Sequence, residues 1–220
     1  MKVFLALVVV LAMAFIAKSQ LTNKDRKSFL KSLNKLRSQV AKGKLLNNVT
    51  GKNLPKASNM YQVVWSKSLE KIATKILGDC TPFAFSPGLA SYVVLTGNVS
   101  TADLLKNATT AWQEAFTKYG IIADLTYNTS AYYEYPELDF YSFTGFTQAV
   151  WAKSSKVGCA STVCNGNVTG LLCKFRSPGS VEGVKLYKTG KKQKCPKGSK
   201  AVKKTRLCKL KGKKGKAIQK

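Results

Sequence analysis

FTGFTQAVWAKSSKVGC, running from Phe143 to Cys159, is the stretch on which the reading of the fold turns. Phe146, Ala149, Val150 and Lys153 recur at helical spacing with Trp151 beside them, and the segment then passes through Ser154 and Ser155 into a short apolar stretch ending at Cys159. That pattern predicts a helix leading into a strand. Just beyond it, Val157 to Thr162 and Val168 to Phe175 flank an Asn165-Gly166 turn signal, which reads as a β-hairpin with Cys159 and Cys173 on either side of the turn.

Working back from this stretch, three more helices are predicted. Thr22 followed by Asp25 forms a capping-box start, and Phe29, Leu30, Leu33, Leu36 and Val40 then fall on one helical stripe that ends at Gly43. Ser66 is a plausible cap for a second helix with Leu69, Ile72, Ala73 and Ile76 on its apolar face. Ser100 with Asp103 opens a third, whose Leu104, Leu105, Ala108, Trp112, Ala115, Phe116 and Tyr119 form a buried face up to Gly120. Between the second and third helices, Leu89 to Leu95 is β-branched and aromatic enough to be a strand. Tyr127 to Phe146 interleaves eight aromatics with Glu134, Glu137 and Asp139; the aromatics would serve to anchor a long connection to the core.

These motifs, in this order, resemble the CAP superfamily of cysteine-rich secretory, antigen 5 and pathogenesis-related proteins, and in particular its nematode venom-allergen-like members. Phe146, Thr147, Gln148, Trp151, Gly158 and Cys159 fit that family's helix–strand motif, Asn34 and Arg37 its first-helix motif, and Met60, Trp65, Leu69, Ala73 and Cys80 its next framework. Trp112, Phe116, Tyr119 and Gly120 match the nematode-type pattern on the third helix, and Cys173 to Gly179 resembles the segment that closes the domain. The resemblance covers roughly Asn23 to Val184. It implies a three-layer α-β-α sandwich, an α/β fold, with a short disulfide-containing basic tail outside it.

The resemblance also implies a cavity where two histidines and two glutamates can hold a divalent metal. The matched positions here are Leu33, Ser91, Ala115 and Gly145, Ser91 being the nearest counterpart in its stretch, and the chain contains no histidine. An aliphatic side chain, a hydroxyl, a methyl and a hydrogen are not ligands for a transition metal, so no metal or other cofactor is expected. The missing imidazoles also remove the usual acid/base group near neutral pH, so a non-catalytic protein is expected over a residual hydrolase. Tyr133, Tyr135 and Phe140 fit the aromatic spacing of a loop through which some CAP proteins bind sterol, which makes a sterol or fatty acid carrier an alternative.

Composition bounds the compartment. The chain has 220 residues and 45% hydrophobic content, enough for one well-buried domain and an appendage. Met1 to Ser19 reads as a cleaved signal peptide, Gln20 to Val184 as the domain and Lys185 to Lys220 as a Lys-rich tail. The leader's apolar run is too short for a transmembrane anchor and none follows it, so the product is expected to be secreted. Six cysteines in an exported chain point to disulfides, expected as Cys159–Cys173, Cys80–Cys164 and Cys195–Cys208. Sequons at Asn48, Asn98, Asn107, Asn128 and Asn167 would be glycosylated on solvent-facing sites.

Charge is concentrated at the end of the chain. Lys185 to Lys220 carries 15 Lys, one Arg and no acid, which is 16 of the net +27. Lys191, Lys192, Lys194, Lys203, Lys204, Arg206, Lys213 and Lys214 form the candidate polyanion site, and beyond a small loop closed by Cys195 and Cys208 the tail is expected to be mobile. The expected partners are an extracellular protein or a sulfated glycan. Export makes nucleic acid an unexpected physiological partner.

Overall fold

The computed structural model describes residues 21–78, 89–94, 99–120, 125–130, 140–164 and 168–212. Each of the first three helices begins where the sequence places a cap. Helix α1 (Asn23–Ala41) starts from Thr22, whose hydroxyl accepts from the Asp25 amide at 3.1 Å while the Asp25 carboxylate accepts from the Thr22 amide at 2.8 Å. Helix α2 (Lys67–Leu77) starts from Ser66 and α3 (Thr101–Tyr119) from Ser100, which accepts from the Asp103 amide at 3.2 Å. Such bonds satisfy amides that have no partner inside the helix. Helix α3 ends on Gly120 at φ 69°, a left-handed conformation that glycine adopts without steric cost. Helix α4 (Phe140–Ala149) stops before Val150, so Lys153 lies beyond it in an exposed turn.

The strands are β1 (Leu46–Asn47), β2 (Lys52–Asn53), β3 (Val64–Trp65), β4 (Leu89–Val94), β5 (Lys156–Cys164), β6 (Val168–Phe175), β7 (Ser199–Val202) and β8 (Leu207–Leu210). The central sheet has the order β3-β5-β6-β4, with β3 parallel to β5 and the other neighbours antiparallel. Cys159 faces Cys173 across β5 and β6, and the two are bonded. Cys80 lies outside the described residues, and so does its expected bond to Cys164.

The main core fills the space between the sheet and α1, α3 and α4, with Phe29, Leu33, Trp112, Phe116, Phe143, Phe146 and Phe175 almost fully buried. A smaller core of Ala73, Leu77, Leu89, Ala160 and Leu172 lies on the sheet's other face under α2. The result is an α-β-α sandwich. Helix α2 sits so close to β5 that a Cβ at Gly158 would lie 2.1 Å from the Glu70 amide nitrogen. This close seat turns Ala73 and Leu77 inward and leaves Ile72 and Ile76 43% and 38% exposed, whereas the sequence pattern places both in the core.

One ion-pair system ties α1 to α2. Arg26 donates to both Glu70 oxygens, at 2.9 and 2.6 Å, and the Trp65 indole donates to the same carboxylate at 2.6 Å. Desolvation pushes the Glu70 carboxyl up, but the bonds from Arg26 and Trp65 and the charges of Arg26 and Lys67 outweigh it and hold the group below its ordinary range.

Residues 185–212 are docked on the domain, where the composition alone predicts mobility outside the Cys195–Cys208 loop. Residues 185–190 run as a strap along the domain. The Leu186 amide donates to Leu125 at 2.9 Å, Ser58 donates to Lys188 at 2.8 Å, and Leu186 and Tyr187 are buried. Burial pushes the Tyr187 phenol well up, and its hydroxyl donates to the Pro55 carbonyl at 2.9 Å. The β7–β8 hairpin is docked in turn, Cys208 donating to Met60 at 2.8 Å and accepting from Gln62 at 2.9 Å, with Leu207 and Cys208 fully buried. Cys195 is bonded to Cys208. Packing therefore continues well past Val184, because a few apolar residues among the lysines and the backbone of residues 57–62 give the segment somewhere to dock.

Candidate functional site

Three of the four positions at the family's metal cavity can be compared directly. Leu33 on α1, Ala115 on α3 and Gly145 on α4 are all buried in the main core. Ser91 lies on β4 opposite Leu172. The space at Gly145 belongs to Trp112: a Cβ there would lie 2.2 Å from both Cδ1 and Nε1 of the indole. Trp112 stands edge-on to Phe29 at 6.3 Å, and Phe29 is edge-on to Trp65 at 6.1 Å. Phe116 stacks on Phe146 at 5.2 Å. Leu33, Ala115 and Gly145 are thus part of an aromatic core. Among the described residues, no three His, Cys, Asp or Glu side chains come together, so these residues do not fit a divalent metal.

The buried hydroxyls nearby are committed to one another. Thr147 and Ser180 are 2.6 Å apart, and Ser154 donates to the Ser177 carbonyl at 3.0 Å while accepting from Gln148 at 3.0 Å. Gln148 also accepts from the Gly179 amide at 2.6 Å, which closes the chain over α4. None of these hydroxyls has an imidazole to activate it, since the sequence has none.

Two residues retained from the first-helix motif prove to be clamps, a role that sequence reasoning missed. Asn34 donates to the Val63 carbonyl at 2.9 Å and accepts from the Val63 amide at 2.8 Å. Arg37, fully buried, donates to the carbonyls of Tyr61 at 2.9 Å, Trp151 at 3.0 Å, Ala152 at 3.3 Å and Ser154 at 3.1 Å, and also to that of Ala149. Burial lowers its pKa to about 9, still above neutral, so the guanidinium keeps its charge and its donors at physiological pH. The signal was present as a cation on the inward side of an amphipathic stripe, but four of its five acceptors lie more than a hundred residues away in the chain.

The basic segment is rich in lysine and has no acidic residue over residues 185–212. Lys191, Lys192, Lys194, Lys203 and Lys204 are exposed, while Lys213 and Lys214 lie outside the described residues. Arg206 does not belong with them. It is half-buried and donates to the carbonyls of Ala57, Gly190 and Lys191, pinning the hairpin turn to the domain. Lys200 on β7 faces Lys209 on β8, both exposed.

The remaining candidates divide. Tyr133 and Tyr135 lie outside the described residues, and Phe140 packs at the edge of the main core as the first residue of α4. Asn48, Asn107 and Asn128 are exposed. Asn98, Asn167 and the leader, Met1 to Ser19, lie outside the described residues. No described helix is long and apolar enough to cross a membrane.

A helix-flanked mixed sheet, the cross-hairpin disulfide and this motif order define a CAP domain. The chain belongs to the cysteine-rich secretory protein (CAP) family, whose model matches residues 30–175. It is 28% identical over 188 residues to Ancylostoma secreted protein of Ancylostoma caninum, covering 83% of this chain and 41% of that one, so it spans less than half of that relative. Among solved structures, it superposes on Na-ASP-1 with a TM-score of 0.74 at 26% identity, over 87% of this chain and 48% of the other. It also matches NaASP2 in a structure with Zn2+, with a TM-score of 0.70 at 25% identity over 86% of this chain and 97% of the other.

Proposed function

We propose that this chain is a secreted, non-catalytic binding protein that attaches to sulfated polyanions outside the cell through its C-terminal strap and hairpin. The observation that carries the reading is the Lys200–Lys209 pair. Like charges directly opposite on an antiparallel ladder are destabilising, and no acidic residue occurs in residues 185–212 to offset them. An external anion does offset them, and Lys191, Lys192, Lys194, Lys203 and Lys204 widen the same field. Docking the hairpin fixes these amines in space, which lowers the entropy lost when a polyanion binds. The non-catalytic part rests on the aromatic filling of the cavity and the absence of histidine.

The test is elution from immobilised heparin with increasing salt. A chain ending at Val184 is unsuitable, because removing Leu186, Tyr187 and Leu207 opens the core. The comparison is between Lys191→Gln/Lys192→Gln/Lys200→Gln/Lys209→Gln and the charge-matched control Lys24→Gln/Lys52→Gln/Lys71→Gln/Lys75→Gln. The hairpin variant is expected to elute at clearly lower salt, since screening shortens the Debye length from about 10 Å at 0.1 M to about 3 Å at 1 M. Equal elution of the two variants would assign the affinity to net charge alone and end the proposal.

A further inference from the structure

Apart from the hairpin, helix α1 borders an open groove of about 740 Å³ whose opposite wall is formed by Gln62 to Val64 and by the hairpin turn at Lys204 and Thr205. Its apolar surface is made by half-buried Leu30 and by Val64, which remains 36% exposed. Its rim is cationic, made by Lys27, Lys31, Lys35, Lys42, Lys44 and Lys204. None of these six lysines forms an ion pair among the described residues, where the pairs are Arg26 and Lys67 with Glu70. Lys27, Lys31 and Lys35 repeat at i, i+4 spacing, an arrangement that destabilises a helix unless an anion lies alongside. The walls are pinned by the two Asn34–Val63 bonds and by the Ser38 hydroxyl, which donates to the Thr205 carbonyl at 2.7 Å.

We infer that this groove docks an acidic amphipathic helix of a partner protein. The row from Lys27 to Lys42 extends about 22 Å along α1, which is the length of a helix of about four turns. A sulfated glycan would match the amines but leave Leu30 and Val64 wet. An amphiphile with one anionic head would cover this apolar surface but leave the far lysines without a counter-charge. A helix with an apolar stripe flanked by Glu or Asp matches both, the stripe on Leu30 and Val64 and the carboxylates against the α1 lysines on one side and Lys204 on the other. The inference goes beyond the heparin reading, because five of the six lysines lie off the hairpin.

The experiment uses the full mature chain and a fluorescein-labelled 16-residue peptide of Leu and Glu with Leu at i, i+3, i+4 and i+7, read by fluorescence anisotropy. The comparators are a permuted peptide of equal composition with no apolar stripe and a heparin octasaccharide as competitor. The amphipathic peptide is expected to bind at least about tenfold more tightly than the permuted one. Lys31→Glu/Lys35→Glu should weaken it at least about tenfold, whereas Lys71→Glu/Lys75→Glu, the same charge change on α2, should cost less than about threefold. Val64→Glu should also weaken it, and the exposed lysine pair keeps the test valid if that variant folds poorly. No binding, equal binding of the two peptides, or equal loss from the two lysine pairs overturns the inference. So does octasaccharide binding that depends on Lys31 and Lys35 but not on Val64, which would make the groove a glycan site. Each of these results leaves the heparin comparison at Lys191, Lys192, Lys200 and Lys209 to be read separately.

Discussion

Replacing Arg37 with Met should remove the fastening between α1 and the turn that follows α4. Five carbonyls lose a charged donor. Two of them keep a backbone partner, since Trp151 also accepts from the Ser154 amide and Ala152 from the Tyr61 amide. The carbonyls of Tyr61, Ala149 and Ser154 have no other donor among the described residues, and each buried carbonyl left bare costs about 1–3 kcal/mol. Against that stands the relief of no longer burying a guanidinium, which is itself several kcal/mol, so the net loss should be about 3–5 kcal/mol. At about 2–4 °C per kcal/mol for a domain of this size, the melting temperature should fall by about 6–20 °C. Arg37→Lys keeps a charge but offers three donors from a single point, which cannot span five acceptors, so it should recover less than half of the loss. Thermal unfolding at pH 7, followed by circular dichroism and checked by urea titration, reads both variants. A loss below about 1 kcal/mol for Arg37→Met, or full recovery by lysine, would refute the clamp.

Glu70→Gln should destabilise the chain with a definite pH dependence. Because the folded carboxyl is held below its ordinary range, its contribution is complete above the unfolded value of about 4.3 and is lost as pH falls through the folded value, so wild type and variant should converge in acid. A constant difference from pH 7 down to pH 2 would contradict this. Gly145→Ala places a methyl against the Trp112 ring and should cost about 3 kcal/mol in urea unfolding; a neutral result would mean that the indole has free space. Zinc at modest excess should leave the melting temperature unchanged, and a rise mapped to the space between Leu33 and Gly145 would show that the cavity holds metal after all. A chain ending at Val184 should melt well below the full chain because Leu186, Tyr187 and Leu207 leave the core, whereas equal melting would make the strap and hairpin an appendage.

The features legible in the sequence are those whose partners lie close in the chain. The caps at Thr22, Ser66 and Ser100 each bond three residues ahead, and the β5–β6 hairpin is set by alternating apolar residues around a short turn. The family motif order and the absence of histidine were equally plain, and together they led to the expectation that the matched positions Leu33, Ser91, Ala115 and Gly145 hold no metal. What fills the space there was not legible. Trp112 matches a family position and reads as core, but that its indole occupies the space at Gly145 depends on the approach of α3 to α4.

Sequence by itself therefore determined the helices, the main hairpin, the family and the location of the charge. Tertiary structure decided which side of α2 faces water, what Arg37 holds, and whether the lysine-rich segment hangs free or docks. The reason lies in the range of the forces involved. Capping and periodicity act within one or two turns, whereas Ile72, Arg37 and Leu207 are assigned by backbone or side chains brought close only when the sandwich closes. A run of lysines reads as solvated because charge dominates its average composition. Its anchors, the buried Leu186, Tyr187 and Leu207 and the backbone of Cys208, are too sparse to alter that average, yet each finds a partner in residues already fixed by the domain.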